Sequence, residues 1–391
     1  MQISITDQLD SVPAAHWNAL VGDGNPFLRH EFLTALEHHQ CVGPSYGWLP
    51  HHILVHDHQQ RLIGATPFYI KDNSYGEFVF DWSWADAYER AGLPYYPKGV
   101  ISIPYTPATG PRLLVAGDNR AQSTREILLR TVIEFAQSER LSSLHCLFTN
   151  TDDTAFLSNQ GLLLRLGCQF HWENRGYRDF DDFLEALNAR KRKKLRRERR
   201  RVHEANVEIR VVHGDEADDE QWRMAHHFYR STFEKKWGVP TLNLGFFQEI
   251  ARTMGRQIVL VFAYHRGQPV AGAINLRGSD TLYGRHWGCT ARFHSLHFEI
   301  CYYQGIAYCI QNGLRYFEPG AQGEHKISRG FLPTPTWSAH WIADDRFRGT
   351  IEDFLQRETR AMRDYIETLH DSSPFRRRDA ATLFPDQADT T

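Results

Sequence analysis

Residues 53–65 read ILVHDHQQRLIGA and residues 261–273 read VFAYHRGQPVAGA, and this pattern, which occurs twice, decides the fold. Each stretch is an apolar run, a polar turn and a second apolar run that ends in Gly-Ala. Two short apolar runs on either side of a polar turn are typical of a β-hairpin. The sequence therefore predicts the same hairpin in each half of the chain.

Further elements repeat around the two hairpins in the same order. The repeated helix and strand span residues 126–140 and 144–148 in the first half, and 298–310 and 314–317 in the second. Gly313 is placed to cap the second helix. Upstream, residues 25–36 loosely resemble residues 243–250. Chance similarity of two α/β units is the alternative, but three elements that recur in sequence favour a duplication with a boundary near 165–180.

Composition bounds the class of protein. The 391 residues are enough for two or three domains, and 41% apolar residues supply a core and argue against disorder. The net charge of −2 hides an asymmetry: residues 190–201 carry ten basic side chains and one acid, which leaves −11 for the rest of the chain. A mildly acidic protein thus contains one concentrated basic element.

Cysteine usage and the apolar pattern predict a cytoplasmic protein. Six scattered cysteines form neither a Cys-x-x-Cys pair nor a disulfide framework, so we expect reduced thiols. The first residues lack a basic region followed by an apolar run, so no signal peptide is expected. No window contains the ~20 apolar residues that cross a bilayer, so any membrane contact is expected to be peripheral.

The basic run predicts an anion-binding helix. We predict one helix over residues 181–203, with Leu184, Leu187, Leu195 and Val202 on its docking face. The candidate anion-binding residues on its other faces are Lys194, Arg196, Arg197, Arg199 and Arg200. Like charges at this density repel one another, which favours an anionic partner: a tRNA acceptor stem, a pyrophosphate-linked lipid, an acidic membrane surface or a nucleotide. The alternative is a solvated helix paired with acids of the other domain. DNA is not expected, because no helix-turn-helix or zinc-finger spacing occurs.

A second cluster of ionisable residues lies among glycines, where residues 317–331 read FEPGAQGEHKISRGF. Glycine lets a backbone turn tightly and approach a ligand, and unpaired charges are costly to bury, so this loop is a candidate site. The alternative is a solvated turn whose charges pair among themselves. We expect the ends of strands 283–289 and 314–318 to bring the loop close to Arg285.

Two sets of site residues follow. The catalytic candidates are Glu299, Glu318, Glu324, His325 and Lys326. The substrate-binding candidates are Trp237, Tyr283, Arg285, His286, Trp287, His297, Gln322 and Arg329. His325 or a desolvated glutamate is expected to act as the base, although the sequence does not choose between them. Lys326 and Arg329 are expected to hold a phosphate or carboxylate, or to stabilise an oxyanion.

Several other chemistries lack their patterns. His294, His297 and Glu299 form a His-x-x-His-x-Glu set, but the strong zinc patterns are absent and we predict no metal site. A nucleophile elbow, a Walker loop and a Rossmann fingerprint are also absent, which disfavours serine, ATPase and nicotinamide chemistry.

Two segments are expected to be irregular. Residues 81–111 are rich in Tyr, Trp, Pro and Gly, and we predict a long ordered loop that either lines a cleft or packs over the sheet. Residues 372–391 are polar and are predicted to form a flexible tail.

At this point the residues resemble a known family. The relevant segments are HFE at 297–299, YYQGI at 302–306, FEPGAQGEHK at 317–326, RGFLP at 329–333, SAHW at 338–341 and KLRRERR at 194–200. Together they resemble the FemAB-like predicted N-acyltransferases over nearly the whole chain. The resemblance implies two tandem GNAT-like domains, which agrees with the repeat.

The resemblance also implies a chemistry. The wider Fem group transfers amino acids from aminoacyl-tRNA to the peptide of a lipid-linked cell-wall precursor. Ordinary GNAT enzymes hold acetyl-CoA with an Arg/Gln-x-x-Gly-x-Gly/Ala turn before a helix. The corresponding residues 288–297 lack that glycine spacing, which favours a different donor.

The sequence thus predicts an α/β protein with two tandem GNAT-like domains, at 1–170 and 171–371, each a mixed, mostly antiparallel sheet flanked by helices. The expected function is N-acyl transfer to an amine, with aminoacyl-tRNA as the favoured donor and no tightly bound cofactor. Peripheral contact with a lipid-linked precursor is a further expectation. The alternatives are an acetyl-CoA-dependent N-acetyltransferase and a non-catalytic module that binds tRNA or an anionic lipid.

Overall fold

A computed structural model describes residues 1–234, 238–321 and 323–376. The strands are β1 (Gln2–Thr6), β2 (Trp48–Pro50), β3 (His52–His56), β4 (Leu62–Thr66), β5 (Phe68–Lys71), β6 (Lys98–Ile101), β7 (Leu114–Val115), β8 (Ser143–Thr149), β9 (Leu163–Glu173), β10 (Val207–His213), β11 (Ile258–His265), β12 (Gln268–Arg277), β13 (Thr281–Cys289), β14 (Tyr316–Glu318) and β15 (Leu332–Ile342).

The α-helices follow in the same order. They are α1 (Ala14–Val21), α2 (His30–His38), α3 (Trp82–Arg90), α4 (Ala121–Ser138), α5 (Thr151–Asn159), α6 (Phe180–Ala186), α7 (Ala189–Glu204), α8 (Asp219–Glu234), α9 (Leu244–Met254), α10 (Leu296–Phe298), α11 (Gln304–Gln311) and α12 (Asp345–Asp371). None of the helices in the described residues is long and apolar enough to cross a membrane.

The chain forms two compact units that are not continuous in sequence. The first contains residues 1–168, 239–257 and 335–364, and the second contains the remaining segments from 169 onward. The chain first changes unit close to the predicted boundary. Two segments of the predicted second domain, 239–257 and 335–364, nevertheless pack in the first unit.

In the first unit, the predicted hairpin is β3 and β4, whose antiparallel register pairs Ile53 with Thr66 and Val55 with Gly64. A second group of strands places β5 antiparallel to β6, and β6 parallel to β8. The predicted helix and strand after the hairpin are α4 and β8. Helix α4 begins five residues before its predicted start, and Leu128 and Val132 bury its apolar face in the core.

The similarity between residues 25–36 and residues 243–250 corresponds to a shared type of helix cap. Asn25 and Asn243 each cap a helix by accepting a hydrogen bond from a backbone N–H, from Phe27 and Phe246 respectively. Both helical segments lie in the first unit, where α2 and α9 are joined by an edge-to-face contact between Phe32 and Phe246 at 5.4 Å.

In the second unit, β10, β11, β12 and β13 form an antiparallel meander. The predicted second hairpin is β11 and β12. Strand β14 then pairs with β13 in parallel, from Thr281 with Tyr316 to Tyr283 with Glu318. The predicted helix at 298–310 corresponds to α10, a π-helical segment at Glu299–Tyr303 and α11.

The prediction of a single helix over residues 181–203 is wrong. The structure divides it into α6 and α7, because Leu187 is extended and Asn188 begins a new helix by accepting a hydrogen bond from the Lys191 backbone N–H. Leu187 pairs with Phe375 instead of continuing the helix. The prediction of a flexible tail is therefore wrong at Phe375, which is buried, and residues 377–391 lie outside the described residues. The four predicted docking residues are all buried.

The prediction of a long irregular loop over residues 81–111 is also wrong in part. The segment contains α3 and β6, because Trp84 and Tyr88 lie one turn apart and bury the same helix face. Both side chains pack with the apolar face of α12, where Tyr88 stacks on Phe347 at a ring distance of 4.0 Å. Of the two roles considered for this segment, the structure shows packing for these aromatic residues.

Candidate active site

A cavity lies in the second unit where the pairing of β13 with β14 stops. Strand β14 ends at Glu318, whereas β13 continues to Cys289. The resulting cavity has a volume of about 70 Å³. It is lined by Ala273, Asn275, Gly284, Arg285, His286, Trp287, His297, Cys301, Tyr302 and Pro319. Four predicted substrate-binding residues, Arg285, His286, Trp287 and His297, are therefore brought together.

A β-bulge shapes this wall of the cavity. Ile274 pairs with His286 and Asn275 pairs with Gly284, so Arg285 is the extra residue on β13. A bulge bends a strand and re-aims its side chains. Burial lowers the pKa of Arg285 to about 10, against the opposing effect of Glu318, so its guanidinium remains charged at neutral pH.

The aromatic residues of the cavity wall contact one another. The rings of Trp287 and His297 lie 4.4 Å apart, and those of His297 and Tyr302 lie 5.4 Å apart. His286 packs against the Tyr229 ring, and burial lowers its pKa well below the usual value, so it is neutral. Tyr283 is buried within the sheet and is not part of the cavity wall.

The opposite wall is supplied by the irregular start of a helix. Ser295 has a φ of 71°, and the π-helical turn at Glu299–Tyr303 interrupts the helix between α10 and α11. Such single π turns occur frequently at functional sites, because the extra residue shifts the side chains that follow it. Here the turn contributes Cys301 and Tyr302 to the cavity.

The glycine-rich loop forms a short 3-10 helix at Glu324–Arg329. Gly323 and Gly330, on either side of it, have φ angles of 119° and 94°, which a residue with a side chain rarely adopts. Lys326 is 2% exposed and donates a hydrogen bond of 2.7 Å to the Gly320 carbonyl oxygen. Burial lowers the pKa of Lys326 to about 8, so the ammonium form still predominates at pH 7.

His325 is connected to the cavity through Tyr302. The Tyr302 hydroxyl and His325 Nε2 are 2.9 Å apart. Burial lowers the pKa of His325, and the nearby charges of Arg329, Lys326 and Lys194 lower it further. His325 is therefore neutral at pH 7 and able to accept a proton.

Arg329 occupies a different position from the one expected of a substrate-binding residue. It is 2% exposed and forms a buried ion pair with Glu198 of α7, at 2.9 and 3.0 Å to the two carboxylate oxygens. Its guanidinium also lies over the Phe298 ring and donates to the His325 carbonyl oxygen. These contacts hold the loop against α7 and give Arg329 a positioning role.

The three predicted catalytic glutamates are not part of the cavity wall. Glu299 accepts hydrogen bonds from Arg199 and Gln304, and Glu324 accepts one from the Tyr365 hydroxyl. Glu318 ends β14 and lies 3.9 Å from His171 Nδ1. His325 and Lys326 combine a loop position beside the cavity with a lowered pKa that suits proton transfer or charge stabilisation.

Tyr302 and Glu198 were missed by the sequence reasoning. Tyr302 belongs to the YYQGI segment that supported the family resemblance, but nothing in its spacing showed that it would contact His325. Glu198 is the single acid in the basic run, and that isolation is the one signal that marked it. Trp237 and Gln322, both predicted to bind substrate, lie outside the described residues.

A second, larger cleft adjoins the basic helix. Its volume is about 530 Å³, and its wall includes three arginines, Arg196, Arg199 and Arg200, and three acids, Asp181, Glu208 and Glu299. Arg196 pairs with Glu185 at 3.1 Å, and Arg200 pairs with Glu204 at 3.5 Å, all four side chains being largely exposed. Exposed pairs of this kind are weak and exchange readily for another anion.

The remaining anion-binding candidates differ in their surroundings. Lys194 donates a hydrogen bond of 3.2 Å to Ser328 Oγ in the glycine-rich loop, and Arg197 is exposed. Arg199 is held by Glu299 and by the Phe180 ring. No group of three or more His, Cys, Asp or Glu side chains suited to a metal ion occurs among residues 1–234, 238–321 and 323–376.

Comparisons with known proteins agree with this architecture. The FemAB-like family, described by peptidoglycan biosynthesis/recognition, matches residues 8–377. No curated protein is similar enough in sequence to match. The crystal structure of FemX is similar, with a TM-score of 0.54 at 11% identity over 90% of this chain and all of that one. A conserved protein of unknown function from Bacteroides thetaiotaomicron has a TM-score of 0.52 at 12% identity, over 87% of this chain and 99% of that one.

Identities this low show a shared fold, and the match along nearly the entire sequence shows the family. The resemblance predicted from the sequence motifs is confirmed, and so is the fold class of two tandem GNAT-like domains. The chain therefore belongs to the FemAB-like family of peptidoglycan biosynthesis/recognition proteins, and it is an acyltransferase.

Proposed function

We propose that this acyltransferase moves an aminoacyl group from aminoacyl-tRNA to an amine of an acceptor peptide. The observation that carries the proposal is the cavity beside β13, whose wall contains Arg285 and Tyr302 and which adjoins the loop of His325 and Lys326. A charged anchor, a proton relay and a buried ammonium group are the parts that acyl transfer to an amine requires.

The size of the cavity favours a small reacting group. Its volume of about 70 Å³ is several times smaller than that of the cleft of about 530 Å³ along α7. The reacting end of a donor fits there, and the remaining, larger part of the donor has to lie outside. The cleft of about 530 Å³ along α7 presents Arg196, Arg199 and Arg200, whose guanidinium groups are available to contact the phosphates of a polyanionic donor.

In the proposed reaction, the acceptor nitrogen attacks the carbonyl carbon of the ester that joins the amino acid to the tRNA. A C–N bond forms and the C–O bond to the ribose breaks. The nitrogen loses one proton, and the ribose oxygen gains one. We assign the first proton transfer to His325 by way of the Tyr302 hydroxyl, because the two groups are hydrogen bonded and His325 is neutral.

Positive charge stabilises the tetrahedral intermediate in this mechanism. Negative charge develops on the former carbonyl oxygen as the C–N bond forms. Arg285 lines the cavity, and Lys326 is held by the Gly320 carbonyl oxygen in the adjoining loop. Because burial removes competing water, each cation has a stronger effect there than at the surface.

The choice of aminoacyl-tRNA rests on two features of the chain. Residues 288–297 lack the glycine turn with which ordinary GNAT enzymes bind the pyrophosphate of acetyl-CoA. The cationic helix α7 instead presents Arg196 and Arg200 to the cleft, and Arg197 is exposed beside them. By analogy with the wider Fem group, the proposed acceptor is the peptide of a lipid-linked precursor, and the proposed location is the cytoplasm.

A transfer assay tests the proposal. Full-length protein is incubated with radiolabelled aminoacyl-tRNA and a lipid-linked peptide precursor, and labelled acceptor is counted. We expect label in the acceptor with wild-type protein and with His58→Ala, an exposed control, and its loss with His325→Ala. The same assay with labelled acetyl-CoA tests the other donor.

Two outcomes would overturn the proposal. Transfer from acetyl-CoA without transfer from aminoacyl-tRNA would make the chain an N-acetyltransferase. Binding of tRNA with no transfer from a full set of aminoacylated species, and with no effect of His325→Ala on that binding, would make it a binding module.

A further inference from the structure

A cluster of exposed aromatic side chains lies far from the cavity in sequence, in the first unit. Of the ten large apolar or aromatic side chains that the described residues expose, four fall within residues 75–82. They are Tyr75 at 71%, Phe78 at 41%, Phe80 at 52% and Trp82 at 41% exposure. We call residues 75–82 the aromatic loop. Isolated exposed apolar residues are ordinary, whereas the largest apolar patch of a protein is often functional, and here the rings of Tyr75 and Trp82 contact each other edge to face at 5.4 Å.

Buried ion pairs turn the aromatic side chains outward. Glu77 and Asp81, which alternate with the aromatic residues, point inward and form ion pairs with the fully buried Lys98. Lys98 also donates to Ser74 Oγ at 2.8 Å. Since both acids of the loop are buried, the surface that it presents is aromatic and carries no side-chain charge.

The backbone of the aromatic loop is fixed as well. The Tyr75 carbonyl oxygen accepts hydrogen bonds from Trp48 Nε1 and Lys71 Nζ, each at 3.2 Å. The Phe80 carbonyl oxygen accepts one of 2.7 Å from Arg165. Phe78 has a φ of 62°, a conformation that is unfavourable for a bulky residue and persists only where its surroundings impose it. The exposed rings are therefore held outward by the fold.

The area of the patch decides between classes of partner. Aromatic side chains bury ~150–250 Å² each, so the exposed fractions of these four amount to roughly 400 Å². A stable protein interface takes about 800 Å² from each partner, which is twice as much. A bilayer interface needs no matching surface, and Trp and Tyr are enriched at that depth, with Phe inserting beside them.

We propose that the aromatic loop inserts into the interface of a phospholipid bilayer and docks the protein peripherally on a membrane. The loop lacks exposed basic side chains, so its binding depends on the apolar area and not on anionic lipid. The inference is independent of the proposed donor and acceptor, because vesicle binding is measured with neither present. If the acceptor is lipid-linked, this contact also brings the enzyme to it.

Vesicle sedimentation tests the proposal. Full-length protein is mixed with phosphatidylcholine vesicles and the bound fraction is measured at 0.1 and 0.5 M NaCl. We expect Phe78→Ser/Phe80→Ser/Trp82→Ser to lower the partition coefficient by at least about tenfold at both salt concentrations. Ile3→Ser/Ile5→Ser, which removes comparably exposed apolar side chains (44% and 40%) from β1, should leave it within about twofold.

A second readout locates the contact. Vesicles that carry brominated acyl chains should quench tryptophan fluorescence of the wild type, and Trp82→Phe should lose that quenching while it still sediments. Sedimentation of the triple-serine variant at the wild-type level would overturn the proposal, as would an equal loss for the β1 variant. A wild-type dimer that the triple-serine change dissociates, with unchanged vesicle binding, would assign the loop to a second copy of the chain instead.

Discussion

The two units use the same pair of parallel strands in opposite ways. In the second unit, β13 and β14 pair over three residues, and a cavity opens beyond them. In the first unit, β6 and β8 pair over three residues, from Gly99 with Leu144 to Ile101 with Cys146. There Gly110 forms a further parallel bridge with Thr149, so backbone pairing continues along β8 beyond the end of β6.

A related contrast separates two of the three buried lysines of the described residues, Lys98 and Lys326; the third, Lys71, lies in the first unit, and burial lowers its pKa to about 7. Lys98 of β6 is paired with two buried carboxylates, whereas Lys326 of the glycine-rich loop is hydrogen bonded to one carbonyl oxygen. The pairing of Lys98 stabilises the fold. The less compensated Lys326 has a lowered pKa and remains available for chemistry. The comparison teaches that the partners given to a buried charge distinguish Lys98, which two carboxylates compensate, from Lys326.

The largest expected effect is a loss of folding stability on replacement of Lys98. Lys98→Met leaves Glu77 and Asp81 buried without their cation, and loss of one partner of a buried pair costs about 3–5 kcal/mol. Chemical denaturation should show a free energy of unfolding lower by that amount. A loss below about 1 kcal/mol would show that Lys98 is not the structural charge that the comparison requires.

Lys326→Met gives the reciprocal test on the side of catalysis. Loss of a cation that stabilises an oxyanion lowers kcat by about 10²–10³-fold. Thermal unfolding should be unchanged or slightly raised, because an ammonium group with a depressed pKa opposes folding at pH 7. Unchanged kcat would assign the lysine to the loop structure, and Lys193→Met on the exposed side of α7 is the matched control.

The pH dependence of transfer sharpens the assignment of the base and the cation. Neutral His325 is the active form, so kcat should fall as the pH drops through its pKa, which lies below 6.5. Charged Lys326 is the active form, so kcat should also fall as the pH rises through about 8. Lys326→Arg should move the upper limb to higher pH, because arginine stays protonated. If the fall of kcat at high pH occurs at the same pH in Lys326→Arg as in the wild type, the role of Lys326 is contradicted.

The smallest expected effect concerns the basic helix. Arg196→Gln/Arg200→Gln removes two side chains from the cleft along α7. If both contact phosphates, the slope of log affinity for tRNA against log salt should fall by about 0.7–0.9 per arginine. Filter binding across a salt series measures the slope, and Arg130→Gln, which is exposed on α4 in the first unit, controls for net charge. An unchanged slope would remove the cleft from the donor site.

The sequence predicted the elements that local pattern determines. Both hairpins and the repeated helix and strand follow from periodicity and strand order. The break at Asn188 was missed because an asparagine within a continuous charged run becomes a cap only when Leu187 finds a partner, Phe375, far along the chain. The return of residues 239–257 and 335–364 to the first unit depends on contacts between distant segments, which spacing does not encode.

Within the site, residue types were easier to predict than partners. Glu299 and Glu324 are ionisable residues in the right segment, but Arg199 and Tyr365 engage them outside the cavity wall. Tyr302 could not be predicted, because the π-helical turn that directs it depends on packing of the whole helix. The donor itself is a question of affinity, which the sequence pattern addresses only by charge.

The pair between Glu198 and Arg329 has a thermodynamic consequence. Glu198 belongs to the helix proposed to bind the donor, and Arg329 ends the loop that carries His325 and Lys326. A ligand that shifts the helix therefore changes the energy of the loop, and by reciprocity a change in the loop alters affinity at the helix. Through the Glu198 carboxylate, donor binding at α7 and the conformational order of the glycine-rich loop therefore depend on each other.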